Sequence, residues 1–163
     1  MTFNIKKYHE ICKLLNNVNS VATIIAVTKT QPVEDIEETF RAGIRHFGET
    51  KVQDAFKKFL NLKTNNVDLK LHMIGSLQTN KVKKSLKIFD CFHSLDRDSL
   101  AKEFSKYPEY TSDKYFFIQV NTGQEKQKSG VQPDLTSEFI RYCIHDLNLK
   151  VVGLMCLPPI NED

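Results

Sequence analysis

Residues 21–32 have the sequence VATIIAVTKTQP, in which a β-branched and nearly uncharged run is followed by Lys29 and then by Pro32. Such a run is typical of a strand that is buried on both faces of a parallel sheet. The pattern predicts a first strand over residues 21–28 and a helix that opens at Pro32. Lys29 is therefore expected where this strand ends.

The rest of the chain alternates between the periodicities of helix and strand. After an amphipathic helix over about residues 3–17, strands are predicted at residues 21–28, 45–48, 69–74, 88–93, 115–120 and 151–156, with helices between them. This order indicates parallel βαβ units, arranged either as a barrel or as an open doubly wound sheet. Nucleotide-binding doubly wound folds carry a glycine fingerprint in the first βα turn, and residues 28–32 contain no glycine. The α/β class with a (β/α)8 barrel is therefore the better prediction.

The length of the chain bears on how much of a barrel it can form. Its 163 residues are enough for one domain with a hydrophobic core, whereas a complete eight-stranded barrel usually needs about 250. Six strands are predicted, so two βα units are not accounted for. We expect a single partial barrel over residues 1–163, with an extra N-terminal helix and no second domain.

Composition excludes several function classes. The net charge of +3 is too small to indicate a nucleic-acid or membrane surface, and no apolar run is long enough to span a membrane. The five histidines lack the spacing of metal ligands. The cysteines form no CxxC pair, so we expect reduced and mostly buried thiols in a cytoplasmic protein, at Cys12, Cys91, Cys143 and Cys156.

Lys29 is the residue whose expected position most clearly indicates a chemical role. Active sites of barrels lie at the carboxyl ends of the strands, where Lys29 is predicted. A low-dielectric setting there would lower the pKa of its amine, and a neutral amine can attack an aldehyde to form a Schiff base. The alternative is a lysine whose stem merely covers the strand end while its ammonium group faces water.

Five short motifs follow one another in a specific order along the chain. They are AVTKT at 26–30, HFGE at 46–49, HMIGSLQTNK at 72–81, KSGV at 128–131 and GLM at 153–155. Together they resemble the pyridoxal phosphate homeostasis proteins, relatives of the N-terminal barrel of alanine racemase. The resemblance spans essentially the whole chain. It implies a fold type III barrel that carries pyridoxal 5′-phosphate (PLP) as a Schiff base on Lys29, without established catalysis.

The chain departs from the family pattern in two places. Thr50 stands where the family commonly has asparagine, and a hydroxyl offers fewer donors than an amide. The family's phosphate-gripping segments, a serine- and glycine-rich loop and an Arg-Ile-Gly stretch, belong to the last two βα units, which this sequence does not show. Hydrogen bonds to a charged group contribute about 1.5–3 kcal/mol each, so we expect weakened retention of PLP.

Four further residues are candidate cofactor contacts beside Lys29, namely Thr50, His72, Asn121 and Met155. For three of them a structural role competes with binding. His72 could be a core histidine, Asn121 could cap a turn, and Met155 could fill the core. A basic cluster at Lys81, Lys83, Lys84 and Lys87 is expected to be a solvated helix face, with an anion-binding surface as the alternative. The loop at 128–130 could either turn the chain or bind a second vitamer.

The resemblance leaves three functions open. The first is a cytoplasmic, monomeric PLP carrier that can supply apoenzymes. The second is an amino-acid racemase, which needs two bases flanking the substrate α-carbon, whereas Lys29 offers one. The third is a barrel fragment that does not bind the cofactor, with unpaired strands at both edges of its sheet.

Overall fold

The computed structural model describes residues 3–18, 20–125 and 127–158. In this part of the chain, six parallel strands form one sheet in sequence order. The strands are β1 Ala26–Val27, β2 His46–Glu49, β3 Lys70–Met73, β4 Cys91–Leu95, β5 Tyr115–Val120 and β6 Val151–Cys156. The α-helices are α1 Ile5–Asn17, α2 Val33–Arg41, α3 Val52–Asn65, α4 Val82–Ser85, α5 Asp98–Ser105, α6 Pro108–Thr111 and α7 Thr136–Arg141.

The helices connect successive strands, as the sequence predicts for βα units. Each strand pairs in parallel with the next one along the chain, so among the described residues β1 and β6 are the edges. Since neighbouring strands run in the same direction, their carboxyl ends all meet at one rim of the sheet. This rim is where a parallel α/β protein places its functional residues.

The hydrophobic core lies between the sheet and the helices, and phenylalanine dominates it. Phe92 of β4 stacks on Phe116 of β5, with ring centroids 5.5 Å apart, and Phe104 of α5 meets both rings edge-on. Phe47 of β2 contacts Phe59 of α3 in the same layer. Fully burying such a side chain contributes about 1.5–3 kcal/mol, so these rings hold the helices against the sheet.

The first strand differs most from its prediction. The sequence predicted a buried strand over residues 21–28, whereas β1 contains only Ala26 and Val27, and Val21 is 100% exposed. In the described chain β1 pairs with β2 alone, so it is an edge strand whose second side has no neighbouring strand.

The other predicted boundaries agree with the structure to different degrees. The ranges of β5 and β6 agree with their predictions, and Gly43, with φ of +101°, ends the segment after α2 as expected. The fourth strand begins at Cys91 rather than residue 88, because the chain turns back at the end of α4 through main-chain hydrogen bonds to Ser85. The short helix α6 was not predicted.

The structure bears on two further predictions, the burial of the cysteines and the absence of a membrane-spanning segment. Cys91 and Cys143 are buried as expected, but Cys156 is exposed, since it lies at the end of the edge strand β6. Within the described residues, no helix has the length and apolar character needed to cross a membrane. The predicted extremities of the domain, residues 1–2 and 159–163, lie outside the described ranges.

Candidate functional site

Lys29 lies two residues beyond β1, at the rim formed by the carboxyl ends of the strands. It sits in a turn that is closed by a hydrogen bond from the Gln31 amide to the Thr28 carbonyl oxygen, at 3.0 Å. The predicted position is therefore confirmed. The predicted low-dielectric shelter is wrong for this structure, because Lys29 is exposed. Lys29 is consequently accessible to solvent.

The turn that carries Lys29 is tied to its neighbours by a buried polar cluster. The Lys58 amine on α3 donates to the Thr28 carbonyl oxygen at 2.7 Å and to Oε1 of Glu49 at 2.9 Å. The Thr28 hydroxyl donates to the same Oε1 at 2.8 Å. Glu49 is 0% exposed, and its Oε2 has no hydrogen-bond partner among the described residues. We call these three residues, Thr28, Glu49 and Lys58, the strand-end clamp.

The ends of β2, β3 and β4 come close together beside this clamp. A Cβ atom on Gly75 would lie 2.5 Å from the Thr50 carbonyl oxygen, closer than any side chain tolerates. The Ser94 hydroxyl donates to the Gly75 carbonyl oxygen at 2.7 Å. Thr50, a predicted contact, therefore stands half-buried at the rim, against the backbone that follows β3.

Asn121 follows β5 and organises a loop. Its side-chain amide donates to the Glu125 carbonyl oxygen at 2.8 Å, and its Oδ1 accepts from the Glu125 amide at 3.2 Å. A Cβ on Gly130, where φ is +133°, would lie 2.6 Å from the Asn121 amide nitrogen, so the returning loop packs closely on Asn121. Of the two alternatives from the sequence, the turn-capping role is the one this geometry supports.

Met155 completes the set of predicted contacts on the last strand. It pairs in register with Gln119 of β5 and is half-buried, one residue before the end of β6. Its thioether is thus near the rim but distant in strand order from Lys29, which follows β1 at the opposite edge.

His72 belongs to a chain of three histidines that crosses β2, β3 and β4. Its Nε2 lies 2.9 Å from Nδ1 of His46, and its Nδ1 lies 2.9 Å from Nε2 of His93. The His93 ring in turn stacks on Phe117, with centroids 4.4 Å apart. Both nitrogens of His72 are therefore engaged, as expected of a core histidine. We call His46, His72 and His93 the histidine ladder.

Burial keeps the histidine ladder neutral. It lowers the pKa of His72 to about 3, an effect increased by His93 and His46, and it also lowers the pKa of each of those neighbours. The ladder lies deeper in the sheet than Lys29, because His72 is in register with Gly48 and Gly48 with Val27. Among the described residues, no cluster of His, Cys, Asp or Glu is arranged to hold a metal ion.

The basic cluster is partly engaged with aromatic rings. The Lys83 amine lies 5.7 Å from the centroid of Tyr107, and the Lys84 amine lies 4.9 Å from that of Phe56. These cation–π contacts with core-edge rings are consistent with the expected solvated helix face.

Two functional candidates were missed by sequence reasoning. Glu49 lies inside the quoted HFGE motif, and a carboxylate at the predicted end of a short strand was the available signal. Lys58 gave no comparable signal, since it is one of two adjacent lysines in a helical pattern. Only its contacts in the structure, with Thr28 after β1 and with Glu49 of β2, show that Lys58 is important.

A parallel sheet in strand order 1–6 with its polar groups at one rim defines an α/β protein of the barrel type. The family model described as "Alanine racemase, N-terminal domain" matches residues 6–162, and the chain belongs to this family. The open sheet of six strands is an incomplete (β/α)8 barrel, as the sequence predicted.

Curated relatives confirm the resemblance noted from the motifs. The chain is 36% identical over 160 residues to a pyridoxal phosphate homeostasis protein of Aquifex aeolicus, a match that covers 98% of this chain and 69% of the relative. It is 35% identical to the protein of that name in Pasteurella multocida, covering 88% of this chain and 62% of the relative. The chain thus spans about two thirds of these relatives' length.

Solved structures show the same fold. PipY of Synechococcus elongatus has a TM-score of 0.74 without PLP, at 32% identity, covering 93% of this chain and 72% of PipY. Its form with PLP bound gives 0.72 at 30% identity, with the same coverage. Alanine racemase of Bartonella henselae, with covalently bound pyridoxal phosphate, gives 0.65 at 15% identity, covering 93% of this chain and 41% of the racemase, which supports the fold alone.

Proposed function

We propose that this protein binds PLP and takes part in intracellular PLP homeostasis, with the cofactor held as a Schiff base on Lys29. The family relationship supports this function, as does the PLP bound to PipY. The observation that carries the proposal is the position of Lys29, whose exposed side chain follows the carboxyl end of β1 at the rim of a parallel sheet.

The chemistry of the rim fits an aldehyde ligand. The unprotonated amine of Lys29 would attack the aldehyde carbon, and a C=N bond would form as the carbonyl oxygen leaves as water. An ammonium group must first release a proton to the solvent, which the exposure of Lys29 permits. PLP supplies the aldehyde and a phosphate, while the protein supplies the amine and its position.

The other predicted residues take different roles in this proposal. Thr50 and Met155 border the rim and are proposed cofactor contacts. The polar atoms of His72 and Asn121 are engaged within the protein. We therefore assign His72 and Asn121 to shaping the site.

A carrier function accounts for the site better than racemisation does. Racemisation requires a second base facing Lys29 across the substrate. The five tyrosines of the chain do not follow the carboxyl end of any described strand. We propose a cytoplasmic, monomeric carrier that supplies PLP to apoenzymes and carries out no turnover of its own.

An absorbance titration with PLP tests this function. Wild-type protein should develop the visible band of a Schiff base, Lys29→Ala should lose it, and Lys57→Ala, which removes an exposed amine of α3, should retain it. Equal bands in wild type and Lys29→Ala would overturn the assignment. For the racemase alternative, steady exchange of the α-proton of alanine that depends on Lys29 would contradict a carrier.

A further inference from the structure

We infer that Lys58 is the positioning residue for Lys29, an inference that rests on the proposed Schiff base at Lys29. The hydrogen bonds of the Lys58 amine go to the Thr28 carbonyl oxygen and to Glu49. This amine acts on the backbone of the turn, through the strand-end clamp.

The hydrogen bond from Lys58 engages the peptide group that leads directly into Lys29. The accepting oxygen is that of Thr28, and its carbonyl carbon is bonded to the Lys29 nitrogen. Holding this oxygen at 2.7 Å restrains the plane of the peptide group that precedes Lys29, and with it the direction in which the Lys29 side chain leaves the backbone. The same oxygen also accepts from the Gln31 amide, which closes the turn.

Besides Lys58, the side-chain restraint on this part of the chain comes from the buried Thr28 hydroxyl, which donates to Glu49. β1 contains only Ala26 and Val27, and Val27 is 51% exposed at the edge of the sheet. The main-chain pairing extends by one further hydrogen bond, from the Thr28 amide to the Gly48 carbonyl oxygen at 3.0 Å. A short edge strand frays easily, so the turn needs a tether from elsewhere in the fold.

Lys58 provides that tether from the rigid side of the molecule. It lies on α3 next to Phe59, which is fully buried in the core, and only 15% of the Lys58 side chain is exposed. Glu49, fully buried at the end of β2, holds the ammonium group in place at 2.9 Å. Packing of α3 in the core thus holds the Lys58 amine in place, and this amine in turn restrains the turn that carries Lys29.

Competition labelling separates positioning from general stability. PLP is added below the total lysine concentration, Schiff bases are reduced with borohydride, and peptides are quantified. The readout is the ratio of label at Lys29 to label at the exposed Lys87 in the same folded sample. Because both sites share one sample, a change in protein concentration does not alter the ratio, and the unfolded fraction of each variant is measured separately.

Four proteins are compared, namely wild type, Lys58→Met, Lys58→Arg and the control Lys57→Met. We expect the ratio to fall about tenfold in Lys58→Met, since small misplacements of a reacting group cost up to about a hundredfold in rate. Lys58→Arg, which retains a donor, should recover much of it, and Lys57→Met should match wild type. Urea unfolding of each variant confirms that the labelled samples are folded.

The outcomes separate failure of the positioning role of Lys58 from failure of the proposed PLP binding at Lys29. Preferential labelling of Lys29 in wild type, unchanged in Lys58→Met, would overturn the role of Lys58 and leave the PLP site standing. A wild-type ratio no higher than that expected from exposure would overturn both. If Lys58→Met alone does not fold, the double variant Lys58→Met with Glu49→Gln, which removes both charges of the pair, takes its place. A ratio in that variant equal to the wild-type ratio would likewise count against positioning.

Discussion

The ammonium group of Lys58 lies 2.9 Å from a carboxylate oxygen of Glu49 that is fully removed from water. A buried charge whose partner is removed loses its compensation, at a cost of about 3–5 kcal/mol. We expect Lys58→Met to lower the free energy of unfolding by about 3 kcal/mol in urea titrations, since Lys58 retains some contact with solvent.

Two comparisons define this stability effect. Lys57→Met removes an exposed neighbour on the same helix and should change stability by less than about 0.5 kcal/mol. Combining Lys58→Met with Glu49→Gln removes both charges and should recover part of the loss. Additive losses from Lys58→Met and Glu49→Gln would show that the two residues are not coupled.

The histidine ladder predicts how stability depends on pH. Burial lowers the folded-state pKa of its three members, with that of His72 at about 3, while Lys70, Lys63 and Asp90 modulate them electrostatically. The unfolded chain therefore binds protons below about pH 6.5 that the folded protein does not. This contribution to stability is complete above that pH and is lost as the pH falls toward 3.

Replacing His72 tests this relation. Between pH 6 and 5, His72→Gln should reduce the slope of unfolding free energy against pH by about 1.4 kcal/mol per pH unit, the equivalent of one proton. His145→Gln provides the control, because that exposed side chain faces water in both states. An unchanged slope in His72→Gln would show that His72 does not titrate between the two states.

The close approach of Gly75 and Thr50 predicts intolerance to a single methyl group. A Cβ at position 75 would meet the Thr50 backbone at 2.5 to 2.9 Å, and backbone cannot rotate away as a side chain can. We expect Gly75→Ala to lower the free energy of unfolding by about 1–3 kcal/mol. Ser76→Ala, at the exposed adjacent residue, is the control, and equal stability of these two variants would contradict the packing described.

The cysteines should divide into fast and slow thiols. Cys156 is exposed, whereas burial raises the pKa of Cys91 to about 11 and that of Cys143 to about 12. With a thiol-specific chromophore at pH 8, we expect Cys156 to react at once and the two buried thiols to react only in denaturant. The Cys156→Ser variant should lose the fast phase. A fast phase that survives in this variant, beyond the share of the half-buried Cys12, would contradict the burial.

The order of strands and the position of Lys29 could be predicted from the sequence because local patterns encode them. The apolar runs of β5 and β6 are bounded by clear turn residues, and both ranges were predicted correctly. The extent of β1 could not be predicted from residues 21–28, since the length of a strand depends on how far a neighbouring strand pairs with it. An apolar run shows that a strand is suitable for burial, but not that it has partners.

The contacts of the candidate site depend on three-dimensional register. His72 was placed in a strand by its sequence, yet its ladder requires three strands to align at one level. Lys58 becomes significant only because α3 packs so that its amine reaches Thr28. Such contacts join residues 20 to 30 positions apart, and no local pattern reports them.

The most direct test of the central claim is to locate the reduced cofactor on the wild-type chain. Protein is mixed with one equivalent of PLP, reduced with borohydride and mapped by peptide mass spectrometry. The proposed Schiff base predicts about one pyridoxyl group per chain, on the peptide that contains Lys29. Label spread over exposed lysines such as Lys57 and Lys87 in proportion to their accessibility, with no excess at Lys29, would contradict it.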